Sequence, residues 1–302
     1  MKPKFLLLSF ILGFALSSAI AYFAWTHQPS SLQATTAASN VHIDTSMTMA
    51  KLLRERRLRI YFPPGYENSN QHYPVLYMHD GQNLFDAASA YAGEWGIDET
   101  LNSLALTHGL KLIVVGIDNG GDKRMTELNP FDHERFGASE ADAYLDFIVE
   151  QVKPWVDQNY RSLSGREHTA IMGSSMGGLI SHYAAIRHAD VFSKAGIFSP
   201  AYWTAPAFTD FLIAHPVKQS QRLFLLMGEA EGGSMMADFE AMKVTLEAVR
   251  SSQPEITSLA ISVAHAQHNE LFWRSQFAPA ALWLFTPPTV NAQTGEPVPA
   301  AL

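Results

Sequence analysis

The sequence predicts an α/β protein, a mostly parallel sheet with helices on both faces. Two observations carry this prediction. Short apolar runs alternate with longer stretches of helical spacing along residues 46–286, the pattern that sandwiches a parallel sheet between helices. The chain has 302 residues, 47% of them hydrophobic, enough for one large core, and no internal repeat divides it.

The elements follow in order. "RRLRIYFPP" (56–64) alternates as a half-buried strand does, while "YPVLYMHD" (73–80) and "LKLIVVGID" (110–118) read as strands buried on both faces. "EADAYLDFIVEQVKPWVDQNY" (140–160) has helical spacing, with Ser139 as cap and Pro154 bending or ending its first part. "EHTAIMG" (167–173) is a strand that runs into a helix through "MGGLISHYAAIRH" (176–188). Strands "SKAGIFSP" (193–200) and "RLFLLMG" (222–228) precede a helix at 236–250. A last strand at 256–265 leads to a helix from Asn269 onward.

Outside this body the chain changes character. Lys2 and Lys4 precede an uncharged run from Phe5 to Trp25, and Ala19-Ile20-Ala21 offers a cleavage site. Residues 1–27 therefore read as a signal peptide or, uncleaved, as an N-terminal membrane anchor. The expected location is periplasmic or secreted, with an inner-membrane anchor facing the periplasm as the alternative. Residues 28–45, rich in Ser, Thr and Ala, read as a linker, 46–286 as the folded domain and 287–302 as a loose tail. Cysteine is absent, so stability comes from the core rather than from disulfides. The formal charge is -8 and no basic stripe is visible, which argues against nucleic acid as a partner.

Chemistry concentrates at "AIMGSSMGGLI" (170–180). A strand that turns sharply into a helix exposes the residue at its apex, and small neighbours permit the turn. Gly-x-Ser-x-Gly is satisfied by Gly173, Ser175 and Gly177 only, which makes Ser175 the candidate nucleophile over Ser174. The alternative is a glycine-rich turn that only packs closely or holds a phosphate. A serine hydroxyl needs a base, and in such sheets the order is serine, acid, histidine. The loop after the last strand offers His265 and His268, and His268, just before the helix, has the better reach. After "RLFLLMG" come Glu229 and Glu231; Glu231 is free to point inward, whereas Glu229 can simply cap the turn. The amides of Met176 and Gln82 are the candidate oxyanion donors. His79 and Asp80 read as a structural hydrogen-bonding pair at a strand end. No His-Glu-x-x-His or comparable ligand cluster suggests a metal, and no cofactor is implied.

Together, "YPVLYMHDGQNLFD", "EWGIDETL", "LIVVGIDNGGDKRMTELNPF", "AIMGSSMGGLISHYAAIRHADVFSKAGIFSPAYW" and "HNELFWR" resemble the putative-esterase family of α/β-hydrolases, covering most of residues 55–285. That family includes enterobactin-type siderophore esterases, feruloyl esterases and S-formylglutathione hydrolase. The resemblance implies an α/β-hydrolase fold, Ser175 as nucleophile, His268 as base and an acid after "RLFLLMG". The family pattern departs here in offering glutamates and no aspartate at the acid position. The resemblance also suggests that Arg124 and Glu127 border the pocket; a surface salt bridge is the alternative. Tyr202, Trp203 and Phe208 form either an aromatic wall of the pocket, with Trp203 toward substrate, or plain core.

The function expected is hydrolysis of a carboxylic ester, siderophore-like or another acyl ester, through an acyl-enzyme. The partner is then a small-molecule ester, with membrane attachment only through the N-terminal segment. An acyltransferase on the same fold, or a binding protein without turnover, are the alternatives.

Overall fold

Eight strands build the sheet: β1 (Val41–Met49), β2 (Arg54–Tyr61), β3 (Val75–His79), β4 (Ile113–Ile117), β5 (Thr169–Ser174), β6 (Lys194–Phe198), β7 (Gln221–Gly228) and β8 (Ile256–Val263). Their order across the sheet is β1-β2-β4-β3-β5-β6-β7-β8. β2 runs antiparallel to both β1 and β4, and every other neighbour is parallel. The computed structural model describes residues 34–253 and 255–286, together with two short paired strands, β9 (Thr289–Val290) and β10 (Pro297–Val298). The expected export segment 1–27, the start of the linker and most of the tail lie outside the described residues. Among the described residues no helix is long and apolar enough to cross a membrane.

The helices are α1 (Ile97–Thr107), α2 (Arg124–Glu127), α3 (Ala141–Asp146), α4 (Lys153–Asn159), α5 (Met176–Arg187), α6 (Phe208–Ala214), α7 (Met235–Ser252) and α8 (Glu270–Phe285). They divide the core into two layers, and the strands show why. Along β3, Val75 and Tyr77 enter one apolar cluster while Leu76 and Met78 enter the other. Successive side chains point to opposite faces, so a strand covered on both sides is apolar throughout. All five residues of β3 are buried. The mostly parallel sheet expected from the alternation is therefore the one observed.

Three local departures have physical reasons. β1 begins at Val41, inside the stretch expected to be linker, because "VHIDTSMTM" is an edge strand whose polar residues disguise its alternation. Helices α1 and α6 form in stretches to which the sequence reading assigned no element. Before Pro154 the chain widens into a π-helical stretch, Phe147–Val152, and resumes as α4 with the proline in its first turn. Proline lacks an N–H and crowds the carbonyl four residues back, and the wider turn relieves both. The cap position of α3 is Glu140 rather than the expected Ser139, which stands one residue earlier with its hydroxyl accepting the Ala141 amide at 3.2 Å.

Candidate active site

β5 ends and α5 begins with one residue between them, Ser175, whose φ of 59° and ψ of -120° place a non-glycine residue in a rarely occupied conformation. Such strain costs on the order of 1–3 kcal/mol and persists only where the surroundings enforce it. Here the Ser175 amide donates to Phe198 O at 2.9 Å, and its carbonyl accepts from Ala201 and Leu179 at 3.1 and 3.0 Å. A Cβ on Gly173 would meet the Gly177 backbone at 2.9–3.0 Å, so the two glycines let the strand end and the first helical turn touch. The crowding of small residues is thus a steric requirement of the bend.

The loops beyond β7 and β8 meet at the same edge of the sheet. Glu229 N–H donates to Val263 O at 2.9 Å and Ala230 N–H to Ala266 O at 3.0 Å. A Cβ on Gly228 would lie 2.4 Å from Ala266 O, so only glycine permits this approach. The result is a carboxylate–imidazole pair. Glu231 Oε2 and His268 Nδ1 are 2.7 Å apart, with the Glu231 side chain fully buried and that of His268 one-third exposed. The other oxygen, Glu231 Oε1, accepts from the Ser199 hydroxyl at 2.5 Å and the Gly228 amide at 3.0 Å. Ser199 in turn accepts from Trp273 Nε1–H at 2.8 Å, and the His268 ring stands edge-on to Trp273. The Ser199 and Gly228 donors fix the orientation of the Glu231 side chain, which turns its other oxygen to the imidazole. Glu229 points to solvent, as does His265. Asn269 caps α8 by accepting the Phe272 amide at 3.0 Å, fixing where the loop carrying His268 ends.

Ser175 and His268 line one cleft of about 1050 Å³. Among the described residues the Ser175 hydroxyl makes no hydrogen bond, and such contacts commonly tighten only when substrate binds. Gln82 lines the cleft from the turn after β3, its side chain accepting the Asn119 amide at 3.1 Å. Met176 opens α5, where helix geometry leaves the first amides without intrahelical acceptors.

The expected neighbours of the site divide. Arg124 lines the cleft, but its guanidinium is taken by Asp80, at 2.6 and 2.8 Å. Burial pushes the Asp80 carboxyl up; the charge of Arg124 and hydrogen bonds from Arg124 and Asn119 outweigh it, and the net shift is downward. His79 and Asp80 do not bond each other as a pair. His79 Nδ1 meets Tyr144 Oη at 2.7 Å, and burial lowers its pKa to about 4. Glu127 does not border the cleft: it is buried beneath Arg54 and Arg56, the centre of an ion-pair cluster that ties β2 to α2. Trp203 is likewise absent from the cleft lining and stands half-exposed, edge-on to Phe136. The aromatic lining is supplied instead by Tyr91, Trp95 and Trp273. Of the residues that sequence reasoning left unassigned, Ser199 and Trp273 matter most. Trp273 lies four residues past Asn269, one helical turn on, so its facing back toward His268 was readable.

The family model described as "putative esterase" matches residues 50–284. The uncharacterized protein YbbA of Bacillus subtilis is 26% identical over 246 residues, 76% of this chain and 92% of that protein. Among solved structures, the BES protein from Bacillus cereus matches with a TM-score of 0.66 at 16% identity, covering 85% of this chain and 99% of the other. The enterochelin esterase from Shigella flexneri matches with a TM-score of 0.67 at 20% identity, covering 84% of this chain and 60% of the other. At such identities these likenesses carry the fold, and the arrangement is that of the α/β-hydrolases.

Proposed function

The chain belongs to the putative-esterase family and is a carboxylic ester hydrolase, and from that premise we propose that it works through a serine acyl-enzyme, with Ser175, His268 and Glu231 as its catalytic residues. The Ser175 hydroxyl attacks the ester carbonyl while His268 Nε2 takes its proton. Glu231 fixes the ring through Nδ1 and offsets the charge of the imidazolium. The amides of Met176 and Gln82 receive the oxyanion. Collapse of the tetrahedral intermediate breaks the bond to the alcohol oxygen, which leaves with the proton from His268. Water then enters, gives a proton to His268, and the same steps in reverse release the acid and restore the serine.

The observation that carries this reading is the 2.7 Å Glu231–His268 pair on the cleft that Ser175 lines from a strained bend. The substrate class is a small-molecule acyl ester. Turnover of a trilactone siderophore, short acyl esters and a feruloyl ester, measured side by side, ranks the classes. We expect a fluorophosphonate to label Ser175 and p-nitrophenyl acetate to give a burst. A Ser175→Ala protein of undiminished activity would sink the reading. Export through residues 1–27 is part of the same proposal, supported by Lys2 and Lys4 ahead of the uncharged run. N-terminal sequencing of protein recovered from the periplasm checks it.

A further inference from the structure

The cleft carries an excess of negative charge that the esterase reading does not use. Four carboxylates line it, Asp80, Asp118, Asp122 and Glu270, against one guanidinium, Arg124. Two of the four are neutralised within the protein. Asp80 is gripped by Arg124, and Asp118 receives two bonds from the buried Arg59, at 2.7 and 3.0 Å. Asp122 sits exposed on the turn Gly121–Lys123 beside Lys123. Glu270 differs from all of these. It is only 9% exposed, yet it makes no ion pair and no hydrogen bond to another residue among those described. Its charge is felt by His268, Asp80 and Arg124, and burial raises its pKa.

The Glu270 carboxylate opens on the cleft with no cation paired to it among the described residues, a place that a cationic ligand would fill. The same cleft is lined by Tyr91, Trp95 and Trp273, with Tyr91 standing 93% exposed. Aromatic rings beside a carboxylate are the chemistry that receives an ammonium group. The position of Glu270 also selects which half of the ester carries that group. Its charge interacts with that of His268, which in the proposed mechanism hands the proton to the departing alcohol, so the alcohol is the half of the ester assigned to it.

We propose that the cleft takes esters whose alcohol portion bears a cationic ammonium group, with Glu270 as its counter-charge. This rests on the Ser175–His268 reading. It places polyanionic esters, ferric catecholates among them, at a disadvantage, because each added negative charge meets carboxylates already unneutralised.

The test uses three butyrate esters of similar size: butyrylcholine, the neutral 3,3-dimethylbutyl ester and the anionic 2-sulfoethyl ester. In the wild type, kcat/KM should follow cationic, neutral, anionic in descending order. Because the leaving groups differ intrinsically, the deciding quantity is the cationic-to-neutral ratio, which should fall about 5- to 10-fold in Glu270→Gln. The same ratio in the wild type should also shrink as NaCl is raised, since the attraction is screened. That second measurement stands even if the variant fails to fold. A ratio identical in folded Glu270→Gln, or unchanged by salt, overturns the inference while leaving the esterase reading intact. If none of the three esters is cleaved and no fluorophosphonate labels Ser175, the esterase reading falls and takes this inference with it.

Discussion

Arg124 holds Asp80 by both carboxylate oxygens, at 2.6 and 2.8 Å, although the two residues are 44 positions apart in the chain. Asp80 itself adopts a left-handed conformation, with φ 55° and ψ 47°, immediately before the turn that presents Gln82. The fork of the guanidinium therefore stabilises a bend that the backbone would otherwise relax. Arg124→Ala strands a buried carboxylate and should cost about 3 kcal/mol of stability, read by urea denaturation. The pH dependence has a definite sign. The folded pKa of Asp80 lies below its ordinary value of 3.8, so the pair contributes fully above about pH 4 and its contribution is lost as pH falls further. Acid unfolding of the variant should accordingly begin at higher pH than that of the wild type. An unchanged acid limb would show that the pair does not hold the bend.

Ser199 is the hinge between Trp273 and Glu231, receiving one hydrogen bond and giving the other. Ser199→Ala removes one of three donors to Glu231 and leaves the indole N–H buried without an acceptor. Lost hydrogen bonds to charged groups are worth about 1.5–3 kcal/mol each, so kcat should fall about 10- to 100-fold. A purely structural effect would leave the pH profile alone, whereas a positioning role moves the apparent pKa of the base in kcat/KM. Pairing Ser199→Ala with Trp273→Phe in a double-mutant cycle should give strongly non-additive losses. Additive losses would separate the tryptophan from the acid.

What the sequence made legible was local. Gly173-x-Ser175-x-Gly177 is a pattern within five residues, and the preference for Glu231 over Glu229 needed only their distance past a strand. The role of Arg124 was not legible, because its partner on the preceding βα loop is chosen by three-dimensional proximity. Glu127 misled for the same reason: a charged residue on a loop beyond a strand tip reads as pocket rim, yet two arginines of β2 draw it inward. Trp203 and Trp95 show the limit most plainly. Trp203 follows the end of β6 and Trp95 precedes α1, and only the fold decides that Trp95 stacks against Phe198 beside the cleft while Trp203 faces Phe136. β1 escaped notice because the polar residues of "VHIDTSMTM", at an edge of the sheet, mask its alternation.

The contact between Gly228 and Ala266 gives a steric prediction. A methyl group there would lie 2.4 Å from a backbone oxygen, which cannot rotate away. Gly228→Ala should push the two loops apart, costing about 1–3 kcal/mol in stability. Because Glu231 and His268 sit on those loops, kcat should fall by more than the stability loss explains, with KM little altered. Full activity in the folded variant would mean that the acid–base pair tolerates movement of its own supports.

Two buried histidines fix the stability profile in mild acid. Burial lowers the pKa of His182 to about 3 and that of His79 to about 4, from an ordinary 6.5. Below pH 6.5 the unfolded chain binds protons at both while the folded chain does not, so stability falls as pH drops, by up to roughly 1.4 kcal/mol per pH unit for each. Asp98 opposes this: its pKa is raised to about 7 by burial, so between pH 7 and 4 the folded chain binds the extra proton and gains stability. His188, lowered by burial, adds to the falling contributions, while Glu94 and Glu270, raised by burial, act with Asp98 against them. His182→Gln keeps a neutral hydrogen-bonding group beside Tyr202 and removes one falling contribution, so stability should suffer less in the variant than in the wild type as pH falls from 6.5 to 5. Between pH 6.5 and 5.0 the urea midpoint of the variant should move less toward instability than that of the wild type. A variant as pH-sensitive as the wild type would show that His182 takes up its proton without unfolding the chain.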